Sequence, residues 1–166
     1  TAFAAGTLRG AMSVDAHEST HPIVNTKVED RASIDSMFDT ITYSKGGSIL
    51  RMFYIYLGHD DFQLWMRAYM SSHEFQPVWT ADLYGSIPDR LENFAQAKLE
   101  NWLEKPGYPV LTVTSTGGNS YSVSQKRFYS SPTHTENEDS TTEWFVPIVM
   151  LSSSGSTAKV SLPATS

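Results

Sequence analysis

The sequence has no cysteine among its 166 residues, so disulfides and thiolate metal sites are excluded. It also has no basic cluster, and its 18 acidic and 12 basic side chains give a net charge of −6. Nucleic acid is therefore not an expected partner, because nothing would neutralise its phosphates. No apolar run approaches the roughly 20 residues of a membrane span, and the first residues do not resemble a signal peptide. The remaining 40 % hydrophobic content is typical of a globular chain.

Apolar residues recur at helical spacing through the first two thirds of the sequence. This spacing predicts helices over 1–14, from Ile34 to Ile41, from Ile49 to Leu57, from about 60 to 70, and from 89 to 103, with a short turn after Thr80. Gly58 is predicted to end the third of these helices, and Asp60 or Asp61 and Thr80 are predicted N-caps. The Met and aromatic stripe that follows is predicted to be core: Phe62, Trp65, Met66, Tyr69 and Met70.

Tyr43, Lys45, Gly46 and Gly47 lie between two of these helical runs. The pattern predicts a helix–helix junction. One interpretation of Tyr43 is a core tyrosine with its hydroxyl satisfied. The other is a phenol at an open site, since the small residues after it would allow a ligand or another chain to approach closely.

The pattern changes after Lys105-Pro106-Gly107. Alternating and β-branched residues predict strands over 108–114, 121–128, 144–151 and 157–162, with a hairpin turn at 116–119 and a polar, acidic loop from 130 to about 142. Helices followed by strands predict an α+β fold with two structural units, residues 1–106 and residues 107–166. Pro147 favours an edge or bulge position in its strand.

The sequence His17-Glu18-Ser19-Thr20-His21 matches HExxH, in which two histidines on one helical face bind zinc and the glutamate is the general base. Pro22 disfavours a helical conformation at His21. The flanking residues lack the apolar periodicity of a buried helix, and neither Glu29, Asp35 nor Asp39 is spaced as a convincing third ligand. We therefore do not assign a metal site here, although a free-standing metalloprotease using His17, Glu18 and His21 stays an alternative.

Three motifs resemble the zinc aminopeptidases of the aminopeptidase N family, which are gluzincin metallopeptidases. The first two are Phe38-Asp39-x-Ile41-x-Tyr43-x-Lys45-Gly46-x-Ser48-Ile49-Leu50-Arg51-Met52 and Trp102-Leu-Glu-Lys-Pro-Gly-Tyr-Pro-Val110. The third comprises Val123-Ser-Gln-Lys-Arg-Phe128 and Trp144-x-Val-Pro-Ile148. Together with Ala11, Met12 and Asp15, which fit an Ala-Met-x-x-Asp pattern of the family, they cover residues from about 11 to 151 in the family's order. The resemblance implies the helical C-terminal half of a thermolysin-like catalytic domain, followed by part of an antiparallel β-sandwich.

The resemblance also implies a function. Tyr43 matches the family's tyrosine that points at the zinc site and donates a hydrogen bond to the developing oxyanion. His21-Pro22-Ile23 matches a loop downstream of the true metal ligands, so Zn²⁺ would be a cofactor of the parent enzyme with its ligands outside this chain. The substrates would be peptides, which lose their N-terminal residues. The chain would be a piece of a longer protein and inactive alone.

Two further expectations come from the resemblance alone. The family includes enzymes on the extracellular face of the plasma membrane, the expected location, and cytosolic enzymes as the alternative. Some insect-gut members are toxin receptors, so a non-catalytic interaction module that binds a toxin is a second alternative.

Overall fold

The computed structural model describes residues 2–25, 30–118, 120–131 and 142–162. Within these ranges the α-helices are α1 (Arg9–Asp15), α2 (Arg31–Ser36), α3 (Gly46–Leu57), α4 (His59–Ser72), α5 (Thr80–Gly85) and α6 (Asp89–Leu103). Two π-helical turns, Ala4–Leu8 and Ile41–Lys45, lead directly into α1 and α3. The strands are β1 (Pro109–Gly117), β2 (Ser120–Arg127), β3 (Val146–Leu151) and β4 (Thr157–Leu162). The predicted α+β class is confirmed. None of the described helices has the length and apolar character to cross a membrane.

The predicted helix from Ile34 to Ile41 is wrong, because α2 ends at Ser36. Phe38, an apolar residue within that predicted helix, is 66 % exposed. The reason lies in Asp39, whose carboxylate Oδ1 accepts a hydrogen bond from the Thr42 backbone N–H at 2.9 Å. An aspartate that satisfies a free N–H in this way begins a new helical segment instead of continuing an old one.

The predicted junction between Tyr43 and Gly47 is also wrong. The turn Ile41–Lys45, called the Tyr43 turn below, continues into α3, and both Lys45 and Gly46 have right-handed helical backbone angles. The helical run is therefore uninterrupted to Leu57. It ends at Gly58, whose φ of +98° confirms the predicted helix stop.

The later helices follow the predicted order with shifted starts. Helix α4 begins at His59, so Asp60 and Asp61 lie in its first turn and do not cap it. Their carboxylates interact favourably with the positive end of the helix dipole. Helix α5 begins at Thr80, so Thr80 is its first residue and not its cap. In the predicted core stripe, Trp65 is fully buried, but Met70 is 64 % exposed and that part of the prediction is wrong.

One buried cluster joins the helices to the segment before β3. Trp65 and Phe53 are fully buried at its centre, and Trp144 is fully buried as well. Its members are Ile49, Phe53, Trp65, Tyr84, Ile87, Leu99, Trp102, Leu103, Trp144 and Phe145. The core thus continues across residue 106, and the division of the chain into units 1–106 and 107–166 stays a prediction.

The strands form two separate antiparallel pairs, β1 with β2 and β3 with β4. In the first hairpin Val113 is paired with Val123. Gly117 ends β1 and Gly118 begins the turn, both at positive φ, which confirms the predicted hairpin. Pro147 pairs with Ser161 in a two-stranded sheet, where both strands are edges and a missing N–H is tolerated. Most of the predicted acidic loop, residues 132–141, lies outside the described residues.

Two side-chain amides fix the segment that enters β3. Gln125 donates to the Trp144 carbonyl and accepts from the Trp144 N–H, both at 2.9 Å. On the other side, Asn101 donates to the Glu143 carbonyl at 3.1 Å and accepts from the Phe145 N–H at 2.8 Å. These contacts replace the strand ladder that residues 143–145 would otherwise need for their backbone groups.

Candidate functional site

Tyr43 occupies the middle of the Tyr43 turn and is 64 % exposed, so the core-tyrosine interpretation is wrong. Among the described residues, no group forms a hydrogen bond with its hydroxyl. One helical turn later, a Cβ added at Gly46 or Gly47 would meet no atom within 4 Å. The phenol and the small residues after it therefore form an open face of this chain.

Asp39 holds the first half of the Tyr43 turn. Its carboxylate accepts from the Thr42 N–H, and its backbone carbonyl accepts from the Tyr43 N–H at 3.1 Å. The other carboxylate oxygen, Oδ2, lies 2.8 Å from Nε2 of His21. Asp39 thus connects the loop after α1 to the backbone that carries the phenol.

Both ring nitrogens of His21 face acceptors, since Nδ1 lies 2.9 Å from the Pro22 carbonyl and Nε2 faces Asp39. These two contacts are satisfied together only when both nitrogens carry protons. Burial by itself lowers the pKa of His21, but the bond to the Pro22 carbonyl and the bond and charge of Asp39, with the charge of Asp15, raise it overall. Burial raises the pKa of Asp39, but the bonds from Thr42 and His21 lower it overall. Below the raised pKa of His21, the contact between His21 and Asp39 is therefore an ion pair.

Lys45 holds the second half of the turn. Its Nζ lies 2.9 Å from Oδ2 of Asp15, and both side chains are more than nine-tenths buried. Burial lowers the pKa of Lys45, and the adjacent carboxylate of Asp15 opposes that shift. A buried ammonium needs a full set of acceptors, and Lys45 finds two more in the carbonyls of Lys105 and Gly107, at 2.9 and 3.0 Å.

The same ion pair orders the segment between α6 and β1. Oδ1 of Asp15 accepts from the Gly107 N–H at 2.9 Å and from the Thr20 hydroxyl at 3.0 Å. Gly107 has a φ of +85°, and a Cβ there would lie 2.4 Å from Nε of Arg127. Glycine suits this position because the positive φ disfavours other residues, and a Cβ would also require the Arg127 side chain to shift.

A cavity of about 590 Å³ is lined in part by Asp15 and Lys45. It is bounded by the N-terminal helical residues, by α3, and by the starts of β1 and β3, and its lining is mainly apolar. Tyr43 is not part of that lining. The cavity and the open face at Tyr43 are therefore different surfaces.

The structure does not place the HExxH residues on a helical face. Helix α1 ends at Asp15, and residues 16–19 form turns, with the Thr20 N–H bonded to the His17 carbonyl. His17 is exposed, whereas both nitrogens of His21 are already engaged. In the described part of the chain, no three His, Asp or Glu side chains are grouped closely enough to hold a metal ion. Glu29 lies outside that part.

Sequence reasoning missed the pairing of Asp15 with Lys45 and of His21 with Asp39. Each pair joins residues far apart along the chain, and neither local periodicity nor composition reports such a contact. The need for a partner follows from the burial of Lys45, because a buried ammonium requires an opposite charge, and that burial is visible only in the structure.

Comparison with known proteins decides the family. The profile described as the peptidase family M1 domain matches residues 1–103. The chain belongs to peptidase family M1. The predicted resemblance to the zinc aminopeptidases of the aminopeptidase N family is thereby confirmed.

Similar proteins include several named aminopeptidases. The chain is 32 % identical over 149 residues to the Tricorn protease-interacting factor F2 of Thermoplasma acidophilum, covering 90 % of this chain and 18 % of that protein. It is 40 % identical over 119 residues to the probable aminopeptidase 1 of Saccharolobus solfataricus, and the match covers 72 % of this chain and 15 % of that protein. It is 32 % identical over 139 residues to aminopeptidase M1 of Arabidopsis thaliana, and the match covers 84 % of this chain and 15 % of that protein. This M1 chain thus spans less than a fifth of the length of these relatives.

Proposed function

We propose that this M1 chain is part of a longer zinc aminopeptidase, in which Tyr43 stabilises the reaction's negatively charged intermediate. Supporting this, two of the relatives above are named aminopeptidases and are several times longer than the aligned region. The proposed substrates are peptides with a free N-terminus. The expected location on the extracellular face of the plasma membrane, with the cytosol as the alternative, stays a prediction.

The observation that carries the role of Tyr43 is its exposure on an anchored turn. Attack on a peptide carbonyl places negative charge on its oxygen, and a fixed, neutral hydrogen-bond donor at that oxygen lowers the barrier. A tyrosine hydroxyl is such a donor. Tyr43 presents its hydroxyl on an open face, on a backbone segment held at both ends by ion pairs.

The described residues do not fit a catalytic zinc site, for the reasons given for His17 and His21. In this proposal the zinc ligands belong to polypeptide outside this chain. The residues described here contribute the phenol, and no other step of peptide hydrolysis is assigned to them. The isolated chain is accordingly expected to have no aminopeptidase activity.

The test is the Tyr43→Phe variant of the full-length enzyme that contains this chain. Phenylalanine keeps the ring and removes the donor, so kcat should fall by about 10²–10³ while KM changes little. Tyr121→Phe is the matched control, because Tyr121 in β2 is equally exposed at 64 %. Equal turnover of the Tyr43→Phe variant and the parent would remove Tyr43 from the mechanism.

A further inference from the structure

The position of the Tyr43 hydroxyl has to be set by the backbone beneath it. The ring is 64 % exposed, so packing around it in this chain constrains it weakly. The Tyr43 turn is π-helical, a wider and less regular form than the α-helix that follows, and such turns are frequent at functional sites. A catalytic donor on such a turn needs support from other residues to stay in place.

That support comes from one segment, residues 15–21, which contacts the turn at both ends. His21 pairs with Asp39 at the start, and Asp39 in turn accepts the Thr42 N–H. Asp15 pairs with Lys45 at the end, only two residues beyond Tyr43. Both contacts are ion pairs when His21 is protonated, and the Asp15–Lys45 pair is buried.

We infer that the pairs His21–Asp39 and Asp15–Lys45 are positioning residues, which hold the Tyr43 hydroxyl where the oxyanion forms. This inference rests on the proposed function of Tyr43. None of the four side chains is assigned a contact with the substrate. Their effect is geometric, and a displacement of about 1 Å at a catalytic group can cost about 10²-fold in rate.

The two ion pairs hold different parts of the Tyr43 turn. The carboxylate of Asp39 fixes the N–H of Thr42, immediately before Tyr43, and so sets the direction in which the turn begins. Lys45 ties the end of the turn to the carbonyls of Lys105 and Gly107, which belong to the segment after α6. Removal of either pair should leave the phenol chemically intact but less well placed.

The experiment uses the full-length enzyme and the variant Asp39→Ala, alone and combined with Tyr43→Phe. The expected result for Asp39→Ala is a fall in kcat of about tenfold to 10²-fold with little change in KM. In the Tyr43→Phe background, Asp39→Ala should lower kcat by less than about twofold, because the group that it positions is already gone. Asp39→Asn, which keeps an oxygen for the Thr42 N–H, should recover part of the loss.

The matched control is Asp61→Ala. Asp61 pairs with Arg90 between α4 and α6, and its side chain is 31 % exposed against 32 % for Asp39. This variant removes an ion pair far along the chain from the Tyr43 turn and should leave kcat unchanged. A readout independent of turnover is hydrogen exchange of the peptide that contains residues 41–45, which should speed up in Asp39→Ala and not in Asp61→Ala.

Two results would overturn the inference. One is an Asp39→Ala enzyme with the kcat of the parent, and the other is an equal loss of kcat in the parent and Tyr43→Phe backgrounds. If Asp39→Ala does not fold, His21→Gln is compared with the parent in the same two backgrounds with the same criteria. Failure of the proposed function is recognised separately, since Tyr43→Phe alone would then leave kcat unchanged.

Discussion

Lys45 and Asp15 form a buried ion pair, with 2.9 Å between Nζ and Oδ2 and side chains only 6 % and 3 % exposed. The pair joins three parts of the chain, because Asp15 ends α1, Lys45 precedes α3, and Gly107 bonds to both. A charge taken out of water is tolerated only with its partner present. The pair therefore makes the structure sensitive to the loss of either side chain alone.

Lys45→Met is expected to be strongly destabilising. It leaves the carboxylate of Asp15 buried without a counter-charge, and breaking a buried pair in this way typically costs about 3–5 kcal/mol. The measurement is the urea dependence of unfolding. The double variant Lys45→Met with Asp15→Asn should be less destabilised than Lys45→Met alone, because no unpaired charge remains. A single variant within about 0.5 kcal/mol of the parent would contradict this account.

Much of the helical part could be predicted from the sequence, because α3, α4 and α6 each bury apolar residues at helical spacing. The apolar spacing that ends at Leu57 predicts α3, and Gly58 marks its end through a backbone angle that other residues disfavour. The hairpin at Gly117 and Gly118 is predictable for the same reason. In these places the local signal and the tertiary structure agree.

The failures occur where a side chain from elsewhere overrides the local pattern. The stripe from Ile34 to Ile41 is a valid helical pattern, yet Asp39 begins a new segment and is held by His21, eighteen residues earlier. The candidate site depends on such contacts throughout. A single sequence presents Tyr43 as a residue of interest, but it does not report which distant groups hold the Tyr43 turn.

Gln125→Ala is expected to weaken the attachment of β3 to the rest of the chain. It removes both hydrogen bonds to the backbone of Trp144, which is fully buried. Unsatisfied backbone groups at such a site cost about 1–3 kcal/mol, measurable as a shift in the urea midpoint. Gln76→Ala, at an exposed loop position, is the control and should stay within about 0.5 kcal/mol of the parent. Equal shifts in the two variants would show that the Gln125 contacts contribute nothing.

His17→Ala is expected to leave the metal content of the full-length enzyme unchanged. His17 is exposed in a turn after α1, so it does not share a helical face with His21. The measurement is zinc per protein by elemental analysis after dialysis, with the parent enzyme alongside. Tight zinc binding that is lost in His17→Ala would show that the HExxH residues form a site after all, and would restore the free-standing metalloprotease as a candidate.

The His21–Asp39 pair is expected to stabilise the fold only within a limited range of pH. The pKa of His21 is raised in the folded protein. The stabilisation by protonated His21 is therefore complete below its pKa in the unfolded chain, about 6.5, and is lost as pH rises through its pKa in the folded protein. The pKa of Asp39 is lowered in the folded protein. The stabilisation by the Asp39 carboxylate is therefore present above its pKa in the unfolded chain, about 3.9, and is lost as pH falls through its pKa in the folded protein. The pair therefore stabilises the fold most between these limits.

His21→Gln tests this window, since glutamine keeps polarity and loses the titrating charge. The parent should exceed His21→Gln in urea midpoint by more at about pH 5.5 than at about pH 8.5, because only the protonated ring attracts the Asp39 carboxylate. Asp39→Asn should abolish the same pH-dependent difference, since the imidazolium then faces no charge at that position. A gap between parent and His21→Gln that is constant from about pH 5.5 to 8.5 would mean that the contact is an ordinary neutral hydrogen bond. The Tyr43 turn would then be held by charge only at its Lys45 end.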